Sequence, residues 1–344
     1  MIKVLVVDDS IFMCKLIREI LSIDKEIKVV GESNNGYDAL EKIKDLKPDV
    51  ICLDVIMPMP DGIWILEEIN KQQPTPVIIF SSIVANNAEI TTDIFRLGVI
   101  DILQKPSKQS DMPLIKQELI EKIKSAAFVD KNKLKQSYKQ NILRFENEPR
   151  IISSYSIIAI GSSAGGPPAL MEVLRSLPGN IPAGIVVAQH MPENFIKSFT
   201  EHMRRVSNFE TKVAQDGDII TSGRVLVSPA EKTLTVYRLK RGIVVKLERI
   251  DSKPRPSIDA MFESVSSACS KSAIGVILSG MGSDGVKGLR FIKESGGKTF
   301  SQDEKTSLVW GMPKAAVEAG IVDFVLPINK IGEGILKVFK GTCK

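Results

Sequence analysis

The stretch that decides the fold of the first part of the chain is Val4-Leu5-Val6-Val7-Asp8-Asp9-Ser10. Four consecutive apolar residues, mostly β-branched, indicate a short strand that is buried on both faces. Comparable apolar runs follow at Lys28–Val30, Val50–Leu53, Val77–Phe80 and Ile100–Leu103. Stretches with helical spacing lie between and after them, at Ile11–Leu21, Tyr37–Leu46, Ile63–Gln72 and Leu114–Ala127. Because strands that alternate with helices form parallel sheets through right-handed crossovers, this pattern predicts a flavodoxin-like (βα)₅ domain of the α/β class.

A second stretch, Ile157–Pro168, opens another α/β pattern, since an apolar run passes into a Gly- and Ser-rich turn. The predicted strands are Ile157–Ile160, Gly184–Ala188, Val225–Val227, Ile274–Leu278 and Ile321–Leu326. The predicted helices are Pro168–Ser176, Glu193–Val206, Asp259–Ser270 and Asp284–Glu294. A β-hairpin is predicted at Leu234–Leu239 and Ile243–Leu247, joined by Lys240-Arg241-Gly242. We therefore expect a second doubly wound, mainly parallel α/β domain that carries a hairpin.

Composition and charge divide the chain into a domain at 1–127, a linker at 128–150 and a domain at 151–344. The linker is rich in Lys, Gln and Asn and has no sustained apolar period before Ile142. With 15 basic and 20 acidic residues the first domain carries −5, whereas the linker carries +3 and the second domain +7. These charges either lie on solvated surfaces or attract the two domains to each other or to different partners. The basic excess is too diffuse to predict a nucleic-acid partner.

The overall composition excludes several classes of protein. The 344 residues are 43% hydrophobic and 25% charged, as in globular proteins rather than disordered ones. No apolar run reaches the roughly 18–20 residues of a membrane span, so we expect no membrane insertion, and we identify no signal peptide. The four cysteines lack C-x-x-C spacing, which favours a reduced, cytoplasmic location over a zinc site or a disulfide framework; they are Cys14, Cys52, Cys269 and Cys343.

Three acidic residues follow neighbouring strands of the predicted first sheet. Asp8 and Asp9 end the first strand and Asp54 ends the third, and these strands are adjacent in the flavodoxin-like order. A cluster of carboxylates is costly without a cation, and oxygen ligands with retained waters suit Mg²⁺. Ser81 and Lys105 follow the fourth and fifth strands and should reach the same crevice. Taken singly, each residue is equally typical of a turn or a helix cap.

Together these residues resemble the receiver domain of two-component response regulators. The motifs are Val7-Asp8-Asp9-Ser10, Leu53-Asp54-Val55-Ile56-Met57-Pro58, Asp61-Gly62, Ser81 and Lys105-Pro106. The resemblance implies that Asp54 accepts a phosphoryl group from a histidine kinase. It implies that Asp9, Asp54 and the Ile56 carbonyl hold Mg²⁺ with support from Asp8, and that Ser81 and Lys105 bind the phosphoryl oxygens. One departure is Ile102, which stands where receivers usually carry an aromatic switch residue.

A serine, a histidine and an aspartate follow three strands of the predicted second sheet. Ser163 lies in a G-x-S-x-G turn between a strand and a helix, His190 follows the next strand, and Asp284 follows Ile274–Leu278. Each residue also has a structural interpretation, respectively as a tight turn or phosphate cradle, a surface histidine and a helix N-cap. The only other histidine, His202, lies in a helical pattern and is predicted at the surface.

A shared sheet edge favours the catalytic interpretation of these three residues. His190 would take the Ser163 proton, and Asp284 would fix the imidazole tautomer and stabilise its cation. Backbone N–H groups near Ala164 and Met281 are the candidate oxyanion donors. The order Ser…His…Asp differs from the Ser…Asp…His order of the α/β-hydrolases, so the pattern is not typical of that family.

The second domain resembles the catalytic domain of the chemotaxis protein-glutamate methylesterases of the CheB type. The motifs are Ile160–Gly166, Gln189-His190-Met191, Arg255–Asp259, Leu278–Gly285, Ser301–Glu304 and Trp310-Gly311-Met312-Pro313. The resemblance implies hydrolysis of glutamyl methyl esters on chemoreceptors and deamidation of receptor glutamines, with Ser163, His190 and Asp284 as the triad and no cofactor for the esterase. One departure is Ala164, where the family often has Thr.

Two other functions remain open from the sequence. In the first, the protein is a response regulator whose second domain only binds a partner, in which case the predicted triad would be inert. In the second, it is a transcriptional regulator, which the α/β pattern and the lack of a basic recognition helix disfavour.

Overall fold

The computed structural model describes residues 1–58, 60–82, 93–95, 97–106, 112–131, 134, 157–240, 242–251 and 254–341. The chain forms two compact units, Met1–Asn141 and Ile142–Lys344. No helix in these described ranges combines the length and the apolar character that crossing a membrane requires.

The first unit is built on a five-stranded parallel sheet with the order β2-β1-β3-β4-β5. Its strands are β1 (Ile2–Val7), β2 (Ile27–Ser33), β3 (Val50–Leu53), β4 (Val77–Ser81) and β5 (Asp101–Gln104). Its described helices are α1 (Ile11–Leu21), α2 (Gly36–Leu46), α3 (Gly62–Gln72) and α4 (Met112–Ala127). This is the predicted flavodoxin-like order, and it makes β1 and β3 neighbours, with Val7 opposite Leu53. All four residues of β3 are buried, as the apolar run predicts.

Short polar residues begin the helices at the carboxyl edge of this sheet. The Ser10 side chain accepts a hydrogen bond from Met13 N at 3.3 Å and begins α1. The Asp61 carboxylate accepts one from Trp64 N at 2.9 Å and begins α3. Such N-caps satisfy backbone N–H groups that have no partner in the first helical turn.

The second unit contains a seven-stranded sheet with the order β14-β13-β12-β6-β7-β9-β8, and every adjacent pair is parallel. Its strands are β6 (Ile157–Ser162), β7 (Gly184–Gln189), β8 (Glu210–Val213), β9 (Arg224–Val227), β12 (Ala273–Ile277), β13 (Lys298–Gln302) and β14 (Phe324–Leu326). Its helices are α5 (Gly166–Arg175), α6 (Glu193–Val206), α7 (Ile258–Cys269), α8 (Val286–Glu294), α9 (Met312–Glu318) and α10 (Ile328–Phe339). The chain enters at the central strand β6, adds β7 on one side and β12 on the other, and thereby creates a switch in strand order.

The hairpin predicted beside this sheet is present as β10 (Thr233–Leu239) and β11 (Gly242–Glu248). Its buried face joins the core formed with α7, where Leu234 and Val236 lie. Val236 N also donates to the Ser264 hydroxyl of α7 at 3.1 Å. Arg241 of the predicted turn lies outside the described residues.

Several elements of the second unit differ from the sequence prediction. Strands β8 and β13 and helix α9 were not predicted because they are short, with 4, 5 and 7 residues. Helix α10 was also not predicted, although its apolar residues have helical spacing. Strand β13 is Lys-Thr-Phe-Ser-Gln, and its buried polar residues have hydrogen-bond partners that lie far away in the sequence. Strand β14 begins at Phe324 rather than Ile321, because Asp323 instead accepts hydrogen bonds from Thr299. Helix α8 begins at Val286 rather than Asp284, since Gly285 adopts a left-handed conformation with φ +94°.

The predicted linker lies largely outside the described residues. Its first residues that the structure does describe contact the first unit, because Val129 and Leu134 are buried and Lys131 Nζ donates to Pro48 O at 3.1 Å. The predicted boundaries at 127/128 and 150/151 remain predictions.

The close approach of α7 and α8 generates a test of packing. A Cβ at Gly288 would lie 2.3 Å from Asp259 O and 2.7 Å from Phe262 Cβ. We therefore expect Gly288→Ala to lower the free energy of unfolding of the second unit by about 1–3 kcal/mol through overpacking. The measurement is chemical denaturation followed by Trp310 fluorescence in a Trp64→Phe background, which leaves one tryptophan as reporter.

The matched control for this test is Arg290→Ala on the exposed face of the same helix. It should change stability by no more than about 0.5 kcal/mol. Equal unfolding midpoints for Gly288→Ala and the parent protein would contradict the described helix packing.

Candidate functional site

The predicted acidic cluster assembles at the carboxyl edge of the first sheet. Asp8 and Asp54 are buried and Asp9 is exposed, and one ligand oxygen from each lies within 4.8 Å of the others. The neighbouring strands β1 and β3 bring these residues together. The structure therefore forms the predicted crevice with one carboxylate open to solvent.

Residues from β4 and β5 complete this cluster. Asp54 Oδ1 accepts hydrogen bonds from the Ser81 hydroxyl at 2.7 Å and from Ile56 N at 2.9 Å. The Lys105 ammonium forms ion pairs with Asp54 Oδ2 and, at 2.6 Å, with Asp8 Oδ2. The adjacent ends of β4 and β5 are held together because Lys105 N donates to Ser81 O at 2.9 Å.

Burial and charge act in opposite directions on these groups. Burial raises the pKa of Asp8 above its usual range, and the nearby Asp54 charge adds to this effect, although Lys105 opposes it. Burial alone would lower the pKa of Lys105, but its hydrogen bonds to Asp54 and Asp8 outweigh burial and raise that pKa. The ammonium is therefore held in its charged form between two carboxylates.

The donor set of the crevice fits a hard divalent cation. Carboxylate oxygens from Asp8, Asp9 and Asp54 are close enough to serve one ion, and the exposed Asp9 leaves room for waters, as Mg²⁺ prefers. The contribution of the Ile56 carbonyl remains a prediction. Ile102 is buried in β5 opposite Ile79, so the position usually held by an aromatic switch residue is part of the aliphatic core.

The nucleophile turn of the second unit connects β6 to α5. Ser163 N donates to Ser279 O at 3.0 Å, and Gly166 N donates to Ser163 O at 2.8 Å, which closes the turn. Gly165 has φ +68°, and a Cβ there would lie 2.7 Å from both Leu308 Cβ and Ser279 Oγ. Only glycine meets both constraints, so the G-x-S-x-G spacing reflects the geometry that presents Ser163.

His190 and Asp284 are hydrogen-bonded to each other, with 2.9 Å between Nε2 and Oδ2. The Asp284 carboxylate also accepts hydrogen bonds from Ile258 N at 2.9 Å and Asp259 N at 3.0 Å, the first two amides of α7. The partial positive charge of a helix N-terminus favours a carboxylate at this place. The alternative interpretation of Asp284 as a cap of its own helix is therefore wrong, since it binds the start of α7.

A second carboxylate, that of Asp259, links α7 to the start of α8. Asp259, in the first turn of α7, accepts a hydrogen bond from Gly288 N of α8 at 2.8 Å. Burial raises the pKa of Asp259, and the adjacent Asp284 charge adds to the increase. The first turn of α7 is thus bound by Asp284, which precedes α8, and the first turn of α8 is bound by Asp259, which lies in α7.

Ser163 and His190 lie at the ends of the adjacent strands β6 and β7. His190 N donates to Ser162 O at 3.1 Å, which fixes the two backbones side by side. The hydrogen bond to Asp284 uses Nε2. In this orientation of the ring, Nδ1 is the nitrogen that remains for the serine. Within the part of the chain that the structure describes, the Ser163 hydroxyl makes no hydrogen bond to the His190 imidazole. Catalytic hydrogen bonds commonly tighten only when substrate is bound.

Each candidate oxyanion donor follows a residue whose backbone N–H group already has a hydrogen-bond partner. Ser163 N is committed to Ser279 O, and Gly280 N is committed to Val309 O at 3.0 Å. The next residues along the chain are Ala164 and Met281, and their N–H groups remain the predicted donors.

Ser279 lies within the motif Leu278–Gly285, but the sequence analysis assigned it no role in this site. Its carbonyl binds Ser163 N, its hydroxyl donates to Ala164 O at 2.8 Å, and Val309 N donates to that hydroxyl at 2.9 Å. The available signal was a serine immediately after the apolar run Ile274–Leu278, in a position that the sheet buries completely.

The surface position predicted for His202 is wrong, because its side chain is buried in α6. It lies on the same face of the helix as Phe195 and Phe199, at helical spacing, and so belongs to the buried stripe.

The cysteines offer no competing nucleophile in the part of the chain that the structure describes. Cys14, Cys52 and Cys269 are buried free thiols. Burial raises the pKa of Cys14 and of Cys269 to about 11, so both stay protonated at neutral pH.

Two protein families match the chain, one in each unit. The CheB methylesterase family matches residues 158–335, and the response regulator receiver domain family matches residues 4–115. A protein-glutamate methylesterase/protein-glutamine glutaminase of Sulfurimonas denitrificans is 43% identical, over 96% of this chain and 96% of that protein. One of the same description from Pyrococcus horikoshii is 38% identical, over 98% of this chain and 93% of that protein.

A solved structure is similar to the second unit. The crystal structure of the Thermotoga maritima CheB methylesterase catalytic domain shares 36% identity, covers 54% of this chain and 98% of that one, and gives a TM-score of 0.52. On the family matches and the near full-length relatives, the chain belongs to the CheB methylesterase family, with a response regulator receiver domain ahead of the catalytic domain.

Proposed function

We propose that the protein is a phosphorylation-activated protein-glutamate methylesterase acting in chemotaxis adaptation. It hydrolyses glutamyl methyl esters on chemoreceptors, releases methanol, and deamidates receptor glutamines. The observation that carries this proposal is the His190–Asp284 pair seated on α7 beside the Ser163 turn, at the ends of three adjacent strands. The names of the relatives support the same activities. We place the reaction in the cytoplasm, with a chemotaxis histidine kinase as phosphodonor.

The proposed reaction begins with proton transfer from Ser163 Oγ to the His190 imidazole as the serine attacks the ester carbonyl carbon. Backbone N–H groups bind the resulting oxyanion, with Ala164 and Met281 as the proposed donors. The imidazolium then returns its proton to the leaving methoxide, methanol departs, and an acyl-enzyme remains. His190 next activates a water that attacks the acyl carbon, which yields the glutamate carboxylate and regenerates Ser163. A glutamine substrate follows the same steps and releases ammonia.

Asp284 supports both proton transfers because it stabilises the imidazolium and fixes the ring. Its two backbone hydrogen bonds hold the carboxylate in place before substrate arrives. Charge at a helix N-terminus contributes about 0.3–1 kcal/mol at exposed sites and up to about 2 kcal/mol when partly buried. The start of α7 therefore holds the Asp284 carboxylate in the position that the mechanism needs.

The receiver supplies regulation in this proposal. Asp54 accepts the phosphoryl group, and Ser81 and Lys105, which already contact Asp54, bind the phosphoryl oxygens. When bound, Mg²⁺ neutralises charge that develops on the transferring group. Asp9 and Asp54, with the Ile56 carbonyl and support from Asp8, are the residues proposed to hold it.

The alternative function is a response regulator whose second domain binds a partner without catalysis. The buried and hydrogen-bonded His190–Asp284 pair beside a glycine-dependent serine turn argues against it, because a simple docking surface does not require this arrangement. Methanol release decides between the two functions.

The first prediction concerns the triad. Ser163→Ala and His190→Ala should each lower turnover by about 10³-fold or more, because triad residues act as a unit. Asp284→Asn should keep the fold and also lower the rate sharply, since the ring tautomer is no longer fixed. The measurement is methanol release from a methylated receptor fragment. Ser283→Ala, on the exposed loop before α8, serves as the matched control, and near-native release by a folded Ser163→Ala would refute the mechanism.

The second prediction concerns metal removal at the receiver. Labelling of Asp54 by a small phosphodonor should require Mg²⁺ and disappear with a chelator, because the carboxylate crevice must be neutralised. Asp54→Asn should abolish labelling, whereas Asp45→Asn, at an exposed position of α2, should not. Acid-stable labelling that persists in Asp54→Asn would identify another acceptor, such as a serine.

The third prediction concerns regulation. The unphosphorylated receiver should lower the esterase rate, and phosphorylation should relieve this effect by about 5- to 150-fold, the usual range of coupling between sites. Methanol release is compared among the full-length protein, the full-length protein with phosphodonor, and a fragment that begins near Ile151. A fragment slower than the unphosphorylated full-length protein would mean that the receiver activates the enzyme rather than restrains it.

A further inference from the structure

A buried glutamine connects the proposed nucleophile to the proposed base. Gln189 is the last residue of β7, and only 1% of it is exposed. Its Nε2 donates to Ser163 O at 2.9 Å and to His190 O at 3.0 Å. Its Oε1 accepts a hydrogen bond from the Ser162 hydroxyl at 2.5 Å. One amide therefore contacts the backbone of both residues.

The orientation of this amide is determined by its partners. Carbonyl oxygens only accept hydrogen bonds, so the NH₂ group must face Ser163 O and His190 O. The Ser162 hydroxyl can donate and meets the remaining oxygen. A Cβ at Gly166 would lie 2.5 Å from Oε1, so the start of α5 packs closely against the amide. Close packing and three hydrogen bonds together hold it in one position.

The Gln189 amide lies at the carboxyl end of the pairing between β6 and β7. Strands β6 and β7 are paired as far as Ser162 opposite Gln189, and the hydrogen bond from His190 N to Ser162 O lies at the end of this ladder. Beyond this point the chain turns into α5 on one side and leads to α6 on the other. The Gln189 amide bridges the carbonyls of the next residues and extends the connection between the strands.

We infer that Gln189 is a positioning residue that fixes the separation of Ser163 and His190 for proton transfer. The inference rests on the proposed function and adds to it a residue that touches neither substrate nor the reacting atoms. Misplacement of reacting groups by about 1 Å can cost about 10²-fold in rate, which sets the scale of the expected effect.

The test compares Gln189 with a buried polar residue elsewhere in the same sheet. Gln189→Met keeps the volume and removes the hydrogen bonds, and Gln189→Glu places a carboxylate against two carbonyls. We expect both variants to lower kcat for methanol release by about 10- to 100-fold, with KM changed less than about threefold. The rate at which a fluorophosphonate labels Ser163 should fall in parallel.

The matched control is Thr299→Val, which also keeps the volume and removes buried hydrogen bonds. Thr299 is fully buried in β13, and its hydroxyl donates to Ile321 O at 2.8 Å and to the Asp323 carboxylate at 3.0 Å. We expect this variant to be destabilised to a similar degree while its kcat stays within about threefold of the parent value, because neither Ser163 nor His190 is contacted. Thermal unfolding of the second unit, followed by Trp310 fluorescence in the Trp64→Phe background, establishes that each variant is folded.

Three results would overturn the inference: a parental kcat in folded Gln189→Met, an effect confined to KM, or an equal loss in Thr299→Val. If neither Gln189 variant folds, Ser162→Ala decides. It removes only the bond that orients Oε1 and should lower kcat about three- to tenfold, and an unchanged kcat would then refute the inference. If the parent protein releases no methanol, the proposed function fails, whereas the serine-labelling rates still report on Gln189.

Discussion

The hydrogen bonds of one carboxylate, Asp284, hold the proposed catalytic base, His190, in relation to the rest of the second unit. It binds the His190 ring and the first two amides of α7, so it connects the loop after β12, the end of β7 and a helix that packs on β6. Gly161 shows how close this packing is, since a Cβ there would lie 2.3 Å from Ile258 Cγ2. Displacement of α7 would therefore move the acid and, through it, the base.

Both units assemble a polar site at the carboxyl edge of a parallel sheet, although the two sites differ in chemistry. Parallel strands end at one edge of a sheet, and polar residues placed there meet although they are distant in the sequence. In the first unit the edge collects three acids and a lysine, an arrangement suited to a cation and a phosphoryl group. In the second it collects a serine, a histidine and an acid, and the acid is held by the backbone amides of Ile258 and Asp259.

The sequence predicted those parts of the fold in which local and tertiary preferences agree. Buried apolar strands such as Val50–Leu53 and the glycine-rich turn at Ser163 are recognisable because their burial and backbone geometry require particular residue types. Strand β13 and His202 were misjudged because their burial depends on partners contributed by distant elements. The contacts of Ser279 and Gln189 escaped for the same reason, since a serine or glutamine after a strand shows no sign of what its side chain will meet.

The reciprocal bonds between α7 and α8 have a consequence for heat inactivation. Asp284 satisfies the first turn of α7, and Asp259 satisfies the first turn of α8, so fraying of either helix removes a partner from the other. Local opening of this kind requires less free energy than global unfolding. A warmed sample would then lose its properly oriented imidazole while most of the sheet stays intact. Loss of catalytic activity would then follow local opening at the α7–α8 junction, whereas spectroscopic melting would follow unfolding of the whole second unit.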